Sequence, residues 1–171
     1  MKAAQKITCL CLVVCGLQSS PLAFAQSPAA GSPTRPIWLA FTDAGSDGPP
    51  QIQTLAGGNV LFRITTIQKL SGDLQGKLTE RITQLYPAAD EGGSLPISTL
   101  WKIETAQGTI EGYYSGTFTH AQDGRHGIFQ YGEVISASGA YTYLYRAEVL
   151  YSAVLETDHL SINGGLTIRK R

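Results

Sequence analysis

Gly108-Thr109-Ile110-Glu111-Gly112-Tyr113-Tyr114-Ser115-Gly116-Thr117-Phe118-Thr119-His120 repeats with a period of two, not 3.6. Ile110, Tyr114 and Phe118 share one face with Gly112 and Gly116, so large side chains lie over neighbours that make room for them. The turn signal Asp123-Gly124 follows, and Gly127 to Ala137 resumes the alternation, which predicts a β-hairpin.

Reading outward in both directions, the same period recurs in segments rich in Thr, Val, Ile, Tyr and Phe. Eight strands are predicted: Ile37 to Phe41, Val60 to Gln68, Leu74 to Leu85, Thr99 to Glu104, Thr109 to Thr119, Gly127 to Ala137, Ala147 to Glu156 and Leu160 to Arg169. Asp43 to Pro50 and Pro87 to Pro96 carry the Gly, Pro and Asp punctuation of surface loops. Ser71-Gly72-Asp73 and Thr157-Asp158-His159 predict further tight turns, and Ala140 to Arg146 is too short and aromatic for more than a turn or two of helix.

Short connections imply an antiparallel meander. The expected fold is therefore all-β, a single eight-stranded antiparallel barrel whose closure removes exposed edges, with a two-sheet β-sandwich as the alternative. Glycines within or beside the strands, among them Gly112, Gly116, Gly132 and Gly164, mark bulges, corners or close backbone approach.

Residues 1–25 read as a cleavable signal peptide. Lys2 and Lys6 precede an 11-residue apolar run, Ile7 to Leu17, about half the length of a membrane span, and Ala23-Phe24-Ala25 supplies the small residues read before the cut. Residues 26–35, rich in Pro, Ser and Ala, read as a flexible linker, and residues 36–171 as the folded domain. The chain is thus expected to be exported, periplasmic or secreted. Lipidation at Cys15 is disfavoured because Val14, ahead of it, is not small.

Cys9, Cys11 and Cys15 all fall in the expected signal peptide, so the domain is expected to lack disulfides and to depend on its core. Removing Lys2 and Lys6 from the 13 basic residues leaves 11 against 13 acidic ones. That balance argues against a nucleic-acid or anionic-membrane partner, and no stable membrane insertion is expected after cleavage.

Polar residues that interrupt apolar faces are the candidates for chemistry. Glu80 shares a face with Leu74, Gly76, Leu78 and Ile82, and Glu133 shares one with Phe129, Tyr131 and Ile135. A carboxyl in such surroundings has a raised pKa unless it is paired, which suits a proton donor or a ligand anchor, and Arg63 and Arg146 are candidate partners. Glu148 shares a face with Leu150 and Val154, but Val149, Tyr151, Ala153 and Leu155 make the opposite face the more apolar one. His120 and His126, with Asp123 between them, enforce no ligand geometry, so no metal and no cofactor is expected. No nucleophile-elbow or phosphate-binding glycine pattern occurs. Tyr141, Tyr143, Tyr145 and Tyr151 are candidates for a cavity mouth, or alternatively for wall staves with their hydroxyls in water.

The run Gly108 to His120, then Gly132-Glu133-Val134-Ile135-Ser136-Ala137-Ser138-Gly139-Ala140-Tyr141, then Ala147-Glu148-Val149-Leu150-Tyr151 and the closing Gly164-Gly165-Leu166-Thr167-Ile168-Arg169, resembles the calycin-type barrels related to allene oxide cyclases and dirigent proteins. The resemblance covers roughly the last 60 residues, and the first half matches only in strand spacing. It implies an eight-stranded barrel with an apolar interior able to hold a small lipophilic molecule. It implies no reaction, because a complete set of the family's catalytic positions does not map onto this chain.

The sequence thus leaves three readings: a barrel that binds a small hydrophobic ligand in its interior or mouth; an isomerase or cyclase-like enzyme using Glu80 or Glu133; and a filled barrel acting as a structural or protein-interaction module. The expected ligand contacts are Tyr114, Phe118, Phe129 and Tyr131, and the oligomeric state is open.

Overall fold

The computed structural model describes residues 35–88, 93–121, 123–157 and 162–171, with only the backbone of 42–44. The expected signal peptide, its three cysteines, the linker up to residue 34, Ser161, and the 158–159 part of the last predicted turn lie outside the described residues.

Nine strands follow one another: β1 (Ile37–Ser46), β2 (Gln51–Thr54), β3 (Val60–Gly72), β4 (Gly76–Tyr86), β5 (Ser94–Thr105), β6 (Gly108–His120), β7 (His126–Ala137), β8 (Glu148–Leu155) and β9 (Ile162–Arg169). The helical content among the described residues is two 3-10 turns, Ala56–Gly58 and Gly139–Leu144.

The sheet order β1-β9-β8-β7-β6-β5-β4-β3-β2 is a meander, and a further antiparallel pairing of β1 with β3 closes it. β1 takes the C-terminal half of the free edge of β3, from Leu39 opposite Gly72 to Ser46 opposite Thr66. β2 takes the N-terminal half, from Gln51 opposite Arg63 to Thr54 opposite Val60. The result is a closed antiparallel ring of eight strands, with β2 an extra strand that continues the position of β1. Closure excludes the sandwich.

All eight predicted strands are present, some with longer bounds than expected, and one short strand is additional. β1 runs on to Ser46, through residues expected to be loop, by shifting its register on β3 between Thr42 and Gly45. β5 begins at Ser94, inside the expected 87–96 loop, and contains Pro96. Proline is tolerated there because β4 pairs with β5 only as far as Ile97, so Ser94 to Pro96 have a partner on one side alone. The short β2 carries no buried residue, so no apolar alternation announced it.

The turn between β3 and β4 is held from two sides. Gly72 has a φ of 104°, and a Cβ there would lie 2.7 Å from the Trp38 carbonyl oxygen, so the tight approach requires glycine. The Asp73 carboxylate accepts hydrogen bonds from the Trp38 amide at 2.8 Å and the Arg35 guanidinium at 3.1 Å. That fixes the start of β1 against the hairpin.

The interior divides into two halves. At one end Leu39, Leu78, Ile103, Ile110, Val149 and Ile168 are wholly or almost wholly buried, and Tyr141 and Leu144 of the 3-10 turn between β7 and β8 pack against them. This end is closed. Tyr141 is therefore part of the plug opposite the open mouth, its hydroxyl accepting a hydrogen bond from Thr105 Oγ1 at 3.1 Å, while Tyr145 is exposed.

Candidate functional site

Midway along the barrel four rings cross the interior in series. The Phe41 and Tyr151 centroids lie 5.1 Å apart, Tyr151 and Tyr114 4.9 Å, and Tyr114 and Trp101 5.9 Å. Bare positions on the inward face accommodate them: a Cβ on Gly112 would lie 2.3 Å from the Trp101 ring. The stack forms a floor between the closed end and the rest of the interior.

Glu80 sits in that floor, 1% exposed. The hairpin centred on Asp73 sets its surroundings by placing Glu80 opposite Thr66 in the β3–β4 register. Its Oε2 accepts from Gln68 Nε2 at 2.7 Å and from Thr66 Oγ1 at 3.4 Å, and its Oε1 accepts from the Tyr114 hydroxyl. No lysine or arginine among the described residues pairs with it; Arg63 and Arg146 are both exposed.

Burial is the dominant influence on Glu80 and raises its pKa to about 7, against the opposing pull of the hydrogen bonds from Tyr114, Thr66 and Gln68. Tyr114 and Tyr151 are pushed well above the usual tyrosine value, first by burial and then by the charge of Glu80. At neutral pH Glu80 is therefore divided between its acid and its carboxylate, while both phenols remain protonated.

Beyond the floor, toward the ends of β4, β6 and β8, the barrel is hollow, with a cavity of about 230 Å³. Phe62, Ile64, Ile82, Ile97, Phe118 and Ile128 line it, Leu155 and Ile162 contribute from the last hairpin, and Thr66, Gln68 and Gln84 supply polar atoms. Thr66 and Gln68 thus touch both the cavity and Glu80. His120 and His126 stand at this same open end, their rings 4.7 Å apart edge to face, with the Phe118 ring 4.9 Å from that of His126.

Among the sequence candidates, the structure brings Glu80, Tyr114 and Phe118 into the interior. Tyr114 bonds Glu80 in the floor, and Phe118 lines the cavity. Glu133, Phe129 and Tyr131 are corrected: they lie on the outer wall, Phe129 53% and Tyr131 47% exposed. On β7 the inward face is Ile128, Gln130, Gly132 and Val134, and it is the less apolar-looking one because Gly132 leaves room for the strand carrying Tyr114. Glu148 also points outward, where Arg169 at 2.6 Å and Arg171 at 2.9 Å hold its pKa below the usual carboxylate range.

Sequence reasoning missed Thr66, Gln68 and Gln84. The predicted Ser71-Gly72-Asp73 turn held the signal, since pairing outward from it sets Thr66 opposite Glu80.

No protein-family model and no curated protein matches the chain. Its fold is similar to the crystal structure of a protein with unknown function from Clostridium acetobutylicum ATCC 824, at 14% identity and a TM-score of 0.51, over 80% of this chain and 98% of that one. At such identity the likeness shows the fold alone.

Proposed function

We propose that this chain is an exported binding barrel, which takes up a small hydrophobic molecule through its open end, and that it is a distant member of the calycin-type barrels related to allene oxide cyclases and dirigent proteins. The observation that carries the binding reading is the half-empty interior: a closed end, an aromatic floor, and above it a cavity of about 230 Å³ walled mainly by aliphatic and aromatic side chains. Transfer of apolar surface from water into such a site is favourable at roughly 25 cal/mol per Å². Export rests on Lys2, Lys6, the apolar run to Leu17 and the Ala23-Phe24-Ala25 cut site. The family rests on the glycine and aliphatic rhythm of the last 60 residues together with an eight-stranded closed barrel.

A second reading, an isomerase or cyclase-like enzyme, is favoured by one observation: burial raises the pKa of Glu80 to about 7, and two of the residues that hydrogen-bond it, Thr66 and Gln68, line the cavity. In that reading Glu80→Gln leaves binding intact and ends turnover.

Native mass spectrometry of protein purified gently from its own host tests the binding reading. The expected result is a stoichiometric lipophilic compound, released by organic extraction. Protein that emerges empty, and shows no thermal shift with a panel of apolar compounds, contradicts it and favours the filled structural module.

A further inference from the structure

The outer wall of the barrel carries an apolar face that the described residues leave uncovered. Leu100 on β5 stands opposite Tyr113 on β6, and Tyr113 stands opposite Glu133 on β7. Phe129, Tyr131 and Ile135 project from β7 on the same side as Glu133. Leu100, Tyr113, Phe129, Tyr131 and Ile135 are each 41–55% exposed. At about 200 Å² for a large side chain, together they leave on the order of 500 Å² of apolar wall in water. That is near the upper limit for a monomer, and more than half of the roughly 800 Å² that each partner buries in a stable dimer.

The charges bordering this face make it complementary to itself. Across the strands one row of outward residues runs Arg81 on β4, Leu100 on β5, Tyr113 on β6 and Glu133 on β7, each opposite the next. A two-fold axis lying along the wall between β5 and β6 exchanges the ends of that row. It sets Arg81 of each copy against Glu133 of the other, and Leu100 of each against Tyr113 of the other. The neighbouring row obeys the same operation: Lys102 on β5 is opposite Glu111 on β6, so the axis again brings unlike charges together. Strands about 4.8 Å apart place Arg81 and Glu133 of one copy about 14 Å from each other. Packed sheets cross at about 30°, which offsets the ends of so short a row by a few ångströms, within the reach of an arginine side chain.

Both end charges of the row lack a partner. Neither Arg81 nor Glu133 forms an ion pair among the described residues, and Asp47, which lines the same outer groove as Arg81, is not paired with it. Glu133 stands directly opposite Glu148, and Arg169 and Arg171 are already committed to Glu148 at 2.6 and 2.9 Å. Like charges so placed repel, and a cation from outside relieves Glu133. The groove, of about 500 Å³ and lined by Arg81, Leu100, Lys102, Glu111 and Ile135 among others, gives an apolar side chain of a second copy room to insert. From this geometry we infer that the outer wall formed by β4 to β7 is the interface of a symmetric homodimer, apolar at its centre and closed at each edge by an Arg81–Glu133 pair between copies. The inference is independent of what the barrel interior binds.

Sedimentation velocity from about 1 to about 300 µM protein tests it. The wild type is expected to pass from monomer to dimer with a micromolar dissociation constant, in keeping with a small interface. Arg81→Glu and Glu133→Arg each create two like-charge contacts by symmetry, and each is expected to weaken association about 100-fold or more. Mixing the two variants restores both pairs, since one chain then carries only cations at the two positions and the other only anions, and a heterodimer of near wild-type affinity is expected. Should a single variant fold poorly, the chain carrying both exchanges decides: it dimerises with itself and forms no mixed dimer with the wild type. A wild type that stays monomeric throughout overturns the inference and leaves the face to a partner of another kind. A dimer indifferent to both single exchanges, or folded single variants that do not associate on mixing, overturns it as well.

Discussion

Raising the pH from 4.5 to about 7 is expected to cost the folded protein about 3 kcal/mol of stability through Glu80, and Glu80→Gln is expected to abolish that loss. The sign follows from which state holds the proton. The unfolded chain releases it near 4.5, whereas burial keeps it on the folded protein up to about 7. Between those values the folded state binds more protons, so stability falls by roughly 1.4 kcal/mol per pH unit. Below the window both states are protonated; above it both are ionised and the cost is constant. The acids Glu104, Glu148 and Asp123 on the outer surface behave oppositely, because their cationic partners lower their pKa values and their stabilisation fades only as the pH falls below the window. Urea unfolding of wild type and variant across pH 4 to 8 isolates Glu80 as the difference between the two curves. Parallel curves would show that the carboxyl is hydrated or paired in solution.

Gly132→Ala is expected to destabilise the protein by about 3 kcal/mol, the upper end of what overpacking costs, although it adds one methyl group. Gly132 faces inward on β7, opposite Tyr114. A Cβ there would lie 1.9 Å from the Tyr113 carbonyl oxygen and 2.6 Å from the Tyr114 Cα. These are backbone atoms, so relief requires β6 and β7 to separate at the point where Tyr114 joins the aromatic floor and bonds Glu80. Gly127→Ala is the control on the same strand. No atom lies within 4 Å of its added Cβ, and an outward position of that kind is expected to change stability by no more than about 0.5 kcal/mol. Chemical denaturation of the two variants checks the contrast; equal effects would mean that strand glycines matter here only through backbone entropy.

Most of the barrel was legible because period-two alternation and turn residues are local signals, and eight strands joined by short turns have few ways to avoid open edges. β2 was not legible. Its four residues are all exposed, so it pairs by backbone geometry alone. On β4 the inward face could be read directly, since Leu78 and Ile82 flank Glu80. On β7 the same rule failed: the outer face carries Phe129, Tyr131 and Ile135, while the inner one carries Gln130 and Gly132. An inner wall beside an aromatic stack needs bare positions more than apolar ones, and Gln130 is satisfied across the interior by Thr99 Oγ1 at 3.1 Å. Gln68 and Gln84 escaped notice for a related reason, because a lone glutamine in an alternating strand gives no sign of which way it faces.

The most direct test of a hollow, ligand-accepting end is to titrate propylbenzene into the methyl-labelled protein and follow the methyl resonances by NMR. Ile64, Ile82, Ile97 and Ile128, which line the cavity, are expected to shift saturably, while Leu78, Ile103 and Ile110 at the closed end stay in place. Shifts confined to Leu100, Ile135 and Leu150 on the outer wall, or no saturable shift at all, would contradict it.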